Sequence, residues 1–353
     1  MVRMSDIARS VGVSVGTVDR ALNNRGRIGE ATKARVLRAA ESMRYHPNLS
    51  ASILASGRRL RISVILPTTT KVFYDEVRCG IDAEHRTYAN SLIQLEYRSF
   101  PRFGVGERAA FRAALDAGAD GIISAFSEPQ KLPALLEGSA QSATAVVAVV
   151  TGGPSSGHVP GVSIDPGMSG ALAAGLMGKT LQGRPGKVAV ETGDLHAWEH
   201  KHKIKAFAQI MKTYYPHLRL LPPVETRGLQ KEAFQQTSAL ITAHPDLIGY
   251  YVSTANSMAV IRGLKVQGLL GKVALITTDV FPRLLPHLRS GAVTATLYQR
   301  PRVQSELALR MLYNILCKRN GVAENVLLQP HVIMRENLMY FDKRGSCPSS
   351  QEE

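Results

Sequence analysis

The sequence predicts an α/β protein: a small all-α helix-turn-helix domain at the N-terminus, then two doubly wound parallel-sheet subdomains. Three observations predict it. Basic charge gathers at the start, where residues 1–61 hold 12 Lys/Arg and 4 Asp/Glu, against 31 and 24 in the rest of the chain. Helical spacing over residues 5–43 is interrupted by short turns. From Arg61 onward, short apolar β-rich runs alternate with longer helical patterns, which is how parallel sheets with right-handed crossovers read in sequence. The 353 residues, 44% hydrophobic and 20% charged, allow two or three well-packed domains and exclude wholesale disorder. No apolar run reaches the roughly 18–20 residues of a membrane helix. The opening MVRMSDIARSVG lacks a secretory h-region, so a cytoplasmic location is expected. Cys79, Cys317 and Cys347 are few, odd in number and far apart. They are expected to form neither a disulfide framework nor a metal site, which suits a reducing compartment.

The N-terminal elements follow in order. SDIARSV, residues 5–11, opens with a Ser/Asp cap signal and sets Ile7, Ala8 and Val11 at helical spacing. Gly12 follows, and a second helix starts at Ser14 with Val18, Ala21 and Leu22 on one side. Small Ala8 lets two helices approach, Gly12 accepts the backbone angles of a turn, and Val18 fills the interface. A third helix, ATKARVLRAAESMRY, places Ala34, Leu37, Ala40 and Met43 on its apolar face. A dense basic segment of this kind reads as a polyanion-binding module; the plainer alternative is a solvated basic tail.

The strings SDIARSVGVSVGTVDRALN, RIGEATKARVLRAAESMRYHPN and LSASILASGRR together resemble the lactose/galactose-repressor (LacI/GalR) family across residues 3–59. The resemblance implies a DNA-binding transcriptional regulator. The helix from Ser14 becomes the recognition helix, entering the major groove by its N-terminal residues. Val15 and Gly16 then lie nearest the base edges, with Thr17 and Arg20 reaching phosphate or bases; arginine is the commonest reader of guanine. Val15 has a core role as its alternative. Asp19 stands where the family usually has a small hydroxyl residue, which bears on operator preference rather than on DNA binding. Asn23 and Arg27 complete the implied contacts of this domain, residues 1–47. Asn48 to Ser56, within a linker of residues 48–60, resembles the family's hinge helix, with Asn48, Ala51 and Leu54 against DNA. About two turns long, it is too short to be stable alone. Leu54 matches the leucine that wedges into the minor groove and kinks the duplex; an ordinary linker is its alternative.

In the body, RISVILP, LIQLEY, GIISAF and AVVAVVT form a first strand series. GVSID, KVAVETG, LIGYYVS, VALITTD and AVTATLYQ form a second, each series with helices between its strands. Residues 61–342 resemble, more loosely, the periplasmic-binding-protein-like effector domain, in which the chain crosses between subdomains three times. The crossings are expected near Val159, Gly291 and Val322. One subdomain then holds residues 61–158 and 292–321, the other 159–290 and 322–342, with 343–353 a disordered tail.

Ligands of open α/β sheets bind beyond the carboxyl ends of the strands. The candidates there are Phe73 and Tyr74 as a face for a sugar ring, and Asp165 and Asp279 as acceptors of neighbouring hydroxyls. Asn256 and Gln299 add groups that donate and accept. Lys203 occupies the place of the family's ligand-gripping Arg, with Ala206 where the family has Gly; Lys lacks the planar fork. Trp198 and His202 join the same wall. Asp165 can equally be a helix N-cap, Phe73 and Tyr74 core, and Lys203 a solvated helix face.

His200 and His202 are two apart, not the three or four of a helical metal pair, so no metal is expected. GxSxG, P-loop and GxGxxG motifs are absent, and neither an enzyme nor a cofactor is expected. A transport receptor of the same fold would carry an export signal and no helix-turn-helix. A sugar-modifying enzyme would need a convergent acid/base set. The reading is therefore a homodimeric repressor of sugar uptake or catabolism genes. It would bind double-stranded, pseudo-palindromic operator DNA under control of a sugar, polyol or sugar derivative, with no membrane partner.

Overall fold

The computed structural model describes residues 4–22, 26, 28–43, 59–88, 93–136, 144–151, 159–318 and 323–342. Helices α1 (Met4–Val11), α2 (Val15–Leu22) and α3 (Glu30–Ser42) form the N-terminal unit. Ile7, Ala8, Val11, Val18, Ala21, Val36 and Ala40 make its core. Gly12 turns the chain at φ 72°, and the Gly12 and Val13 N–H groups both donate to the Ala8 carbonyl. Arg35 donates to the Val11 carbonyl at 2.7 Å, tying α3 to the end of α1. The inward face of α3 is Val36 and Ala40, flanked by Ala39 and Met43; Ala34 and Leu37 face outward, Leu37 at 43% exposure. Val36 and Leu37 are adjacent apolar residues on an Ala-rich helix. Contact with α1 and α2, not the helix's own pattern, chooses between them.

The first sheet runs β12-β5-β4-β3-β1-β2 and is parallel throughout, from β1 (Leu60–Pro67), β2 (Ile93–Phe100), β3 (Gly121–Ser124), β4 (Ala145–Val149), β5 (Gly161–Ile164) and β12 (Val326–Leu328). β1 is buried on both faces, as a central parallel strand must be. Ile62, Val64 and Leu66 pack on one side, while Ile65 meets Phe100, Phe111 and Ile122 on the other. α4 (Lys71–His85) and α12 (Pro301–Lys318) cover the first side. They approach so closely that a Cβ on Gly80 would lie 2.3 Å from the Arg302 carbonyl oxygen. Arg310 clamps Glu84 across this crossing with hydrogen bonds of 2.9 and 2.6 Å. α5 (Glu107–Asp116) and α6 (Leu132–Leu136) belong to the same subdomain.

The second sheet runs β13-β11-β10-β9-β6-β7, with β8 (Val224–Glu225) also on β6. Its strands are β6 (Gly186–Thr192), β7 (Leu218–Leu220), β9 (Leu247–Val252), β10 (Ala274–Thr278), β11 (Ala295–Tyr298) and β13 (His331–Ile333), the last antiparallel to β11. α7 (Pro166–Leu181) and α8 (Trp198–Tyr214) cover one face, where Phe207 stacks on Tyr251 at 4.9 Å. α9 (Gln230–Ala243), α10 (Ser257–Val266) and the short α11 (Leu285–Arg289) complete this lobe; α13 (Met339–Asp342) ends the described chain.

The three crossings fall one strand later than expected. β5 pairs in the first sheet, β11 in the second and β12 in the first, so the chain crosses after Ile164, Tyr298 and Leu328 rather than near Val159, Gly291 and Val322. Each strand finishes the sheet it borders before the chain leaves, and a strand's sequence does not say which edge it joins. The subdomain limits at 158/159, 291/292 and 321/322 are corrected accordingly, and GVSID belongs to the first series. Among the described residues no helix is long and apolar enough to cross a membrane.

Candidate functional site

On α2, Ser14 acts as the cap: the Thr17 N–H donates to Ser14 Oγ at 3.1 Å, and the two hydroxyls lie 2.9 Å apart. Val15 is 45% exposed, which removes the core alternative. Gly16 is exposed beside it. Arg20 is exposed, and its Nε donates to the Gly16 carbonyl at 3.0 Å, laying the guanidinium along the helix's leading end. Asp19 is half-buried. Ser14, Val15, Gly16 and Arg20 thus form one open polar surface with a single apolar projection. Asn23, Arg27, Asn48, Ala51 and Leu54 lie outside the described residues.

Between the two sheets, a cavity of about 580 Å³, including the space at its mouth, opens at the carboxyl ends of the strands. Of the residues expected there, Phe73, Tyr74, Lys203, Asp279 and Gln299 line it. Phe73 and Tyr74 meet edge to face at 5.1 Å in the first turns of α4. Asp165, Trp198, His202 and Asn256 do not line it, and this corrects four site assignments. Asp165 caps α7, accepting from the Met168 N–H at 3.0 Å. Trp198 stacks on His202 at 4.4 Å, and its backbone N–H donates across the cleft to the Ser127 carbonyl at 2.9 Å. Asn256 is buried behind the cavity, donating to Glu191 at 3.5 Å. A strand-end position fixes which end of the sheet a residue occupies, but not whether its side chain turns toward the cleft.

The floor is a connected polar cluster. Asp279, at φ 68°, takes the Gln299 backbone N–H at 2.9 Å and its side-chain amide at 2.6 Å. The Thr296 hydroxyl holds the Asp279 carbonyl at 2.7 Å. Burial pushes the Asp279 carboxyl up to about 6, with the Gln299 hydrogen bonds opposing. Lys203, 1% exposed, donates to Gln299 Oε1 at 2.7 Å and to the Ser253 carbonyl at 3.4 Å, and pairs with Glu199 at 2.5 Å. The ammonium is thus engaged by Gln299, Ser253 and Glu199 within the protein. Burial lowers the pKa of His200, whose Nδ1 lies 3.0 Å from the Asp194 backbone nitrogen and 3.2 Å from the Asp194 carbonyl oxygen.

Sequence reasoning missed Glu199, His200, Asp194, Arg102, Phe103, Arg227 and Thr254, which also line the cavity. The spacing of Glu199 and Lys203, four apart on one helix, was a readable signal for the first. Loop residues such as Arg102 offered none.

Residues 62–320 match the periplasmic binding protein domain family. Residues 3–48 match the bacterial regulatory proteins of the lacI family. The chain is a lacI-family transcriptional regulator. Along nearly its whole length it is similar to the HTH-type transcriptional regulator pepR1 of Lactobacillus delbrueckii, at 24% identity over 96% of this chain and 98% of that one. Catabolite control protein A of Priestia megaterium is 34% identical over 90-odd residues, 26% of this chain and 28% of its own. The body of this lacI-family regulator shares the fold of a solute-binding protein from Agrobacterium vitis solved with D-fucose (TM-score 0.73, 19% identity, 83% of this chain and 100% of that one). It also shares the fold of GanP, a glucose-galactose binding protein from Geobacillus stearothermophilus (TM-score 0.70, 21% identity, 80% and 99%).

Proposed function

We propose that this regulator represses genes of sugar uptake or catabolism, acting in the cytoplasm as a homodimer on a pseudo-palindromic operator. A polyhydroxylated effector enters the inter-lobe cavity and shifts the protein between its DNA-bound and free states. The observation that carries this reading is the cavity floor. Asp279, Gln299 and Glu199 are buried acceptors beside the aromatic pair Phe73–Tyr74, a combination suited to hydroxyls on one side of a ring and C–H groups on the other. Phe73, Tyr74, Lys203, Asp279 and Gln299 keep their effector role, with Lys203 organising the floor rather than gripping the ligand. Ser14, Val15, Gly16, Thr17, Asp19 and Arg20 meet the operator, and basic residues of the first segment supply salt-dependent phosphate contacts. Leu54, with Asn48 and Ala51, wedges the operator centre.

DNase footprinting with the full chain on its own upstream region, with and without sugars, tests this. A protected inverted repeat whose occupancy changes with one sugar supports it. Protection of no repeat under any condition refutes it.

A further inference from the structure

The cavity's charge is not spread evenly, and this points beyond a neutral sugar. Its buried end holds the linked set of Lys203, Glu199, Gln299 and Asp279, whose charges face one another. Lys203 is already engaged by Gln299, Ser253 and Glu199, and burial disfavours the charged form of His200. The more accessible lining differs. Arg102, half-buried after β2, lines the cavity, and among the described residues no carboxylate pairs with it. Arg227 reaches the cavity from the opposite lobe; it is exposed, and its Nε lies 3.5 Å from Glu225 Oε1. Asp194, the acid on this side, spends Oδ1 on the His196 N–H at 2.7 Å.

Two further features complete this end. Thr69 and Thr70 border it where α4 begins; Thr70 makes no side-chain cap, so the helix presents its N-terminal dipole uncapped. Thr254 lines the cavity at 7% exposure, and its Oγ1 has no hydrogen-bond partner. A buried hydroxyl left unmatched marks a place where a ligand atom completes the pairing.

We propose that the effector is a polyhydroxylated compound bearing one anionic group, a carboxylate or a phosphate, which Arg102 and Arg227 hold between the lobes while its hydroxyls meet the Asp279–Gln299 floor. This rests on the cavity being the effector site. Guanidinium suits the role: it stays charged and offers paired donors to two oxygens of either anion. One arginine from each lobe also couples the anion to closure of the cleft.

The test uses the full chain, titrated calorimetrically with D-glucose, D-glucuronate and D-glucose 6-phosphate, and with the matching galactose series. An acidic member should bind about tenfold or more tightly than its neutral parent, the size of a charge-assisted bidentate contact. Arg102→Gln should collapse that ratio to near one, each acid being compared with its neutral parent in the same variant. The carboxylate and phosphate arms decide between the two anions. Neutral parents that bind as tightly as their acids, or a ratio untouched in R102Q, would overturn the proposal while the effector reading stands. If none of the six binds, the sugar reading falls by itself, and inorganic phosphate decides the anion site. At ionic strength matched with chloride, phosphate should raise the melting temperature of wild type but not of R102Q; equal responses reject the site.

Discussion

Glu191 ends β6 beneath the cavity, fully buried, with Oε1 near the Thr226 hydroxyl at 3.3 Å and the Asn256 amide, and with Oε2 unpartnered. Burial pushes its carboxyl up to about 8, against an ordinary 4.5. Because the folded value exceeds the unfolded one, its contribution is full below pH 4.5 and is lost as pH rises through about 8. Glu191→Gln keeps the Oε1 acceptor and cannot ionise. It is expected to match wild type at pH 5 and to melt higher at pH 9; parallel Tm profiles across that range would reject a buried, protonated Glu191. Lys203 poses the opposite problem. Lys203→Met strands Glu199 at 3% exposure, and breaking a buried pair of this kind costs about 3–5 kcal/mol. Urea denaturation should show that loss, with much of it recovered by adding Glu199→Gln. Equal stability of the single and double variants would mean the pair is not coupled.

Among the elements, α4 and α12 depend on Gly80, where an added Cβ would stand 2.1 Å from Ser305 Oγ and 2.3 Å from the Arg302 carbonyl oxygen. A serine can rotate away but a helix backbone cannot. Gly80→Ala is therefore expected to cost about 1–3 kcal/mol by overpacking. Gly175, within α7, meets nothing within 4 Å, and Gly175→Ala should stabilise by up to about 1 kcal/mol through helix propensity. Thermal melts of the two variants should move in opposite directions; a shared direction refutes the contrast. The same helix crossing shows what sequence could reveal. The β1 and β9 runs are apolar on both faces, so their strands were legible without a partner in view. So were α1 and α2, whose cores repeat at helical spacing. The face of α3 was not, since Val36 and Leu37 compete. Nor was the sheet membership of β5, β11 and β12, each an edge decision made by tertiary pairing. In the site, Asp279 and Gln299 were legible because they follow strands directly. Asp165 also follows its strand directly yet turns to cap α7, and Asn256 and Trp198, further past their strands, point toward Glu191 and His202.

For the whole molecule, the decisive contact crosses the cleft. Ser127 of the first lobe is fixed by Glu107, its N–H donating to Oε1 at 2.9 Å and its hydroxyl to Oε2 at 2.8 Å. The Ser127 carbonyl then accepts the backbone N–H of Trp198, where α8 of the second lobe begins. Trp198 is the chain's one tryptophan, so the latch carries its own optical reporter. An effector that draws the lobes together changes the surroundings of that indole, and emission should titrate with the affinity that calorimetry gives. Ligand binding with unchanged emission would show that the lobes do not move at this contact. The latch is also a place to test how the two proposed sites communicate. Binding free energies are linked, so a coupling of about 1–3 kcal/mol between cavity and operator changes each affinity by the same factor, about 5–150-fold. Glu107→Gln weakens the hold on Ser127 without touching the recognition helix. It should leave operator affinity without effector within a few-fold of wild type while reducing the effector's influence on that affinity. An E107Q protein whose operator binding responds to effector as wild type does would place the coupling outside this latch.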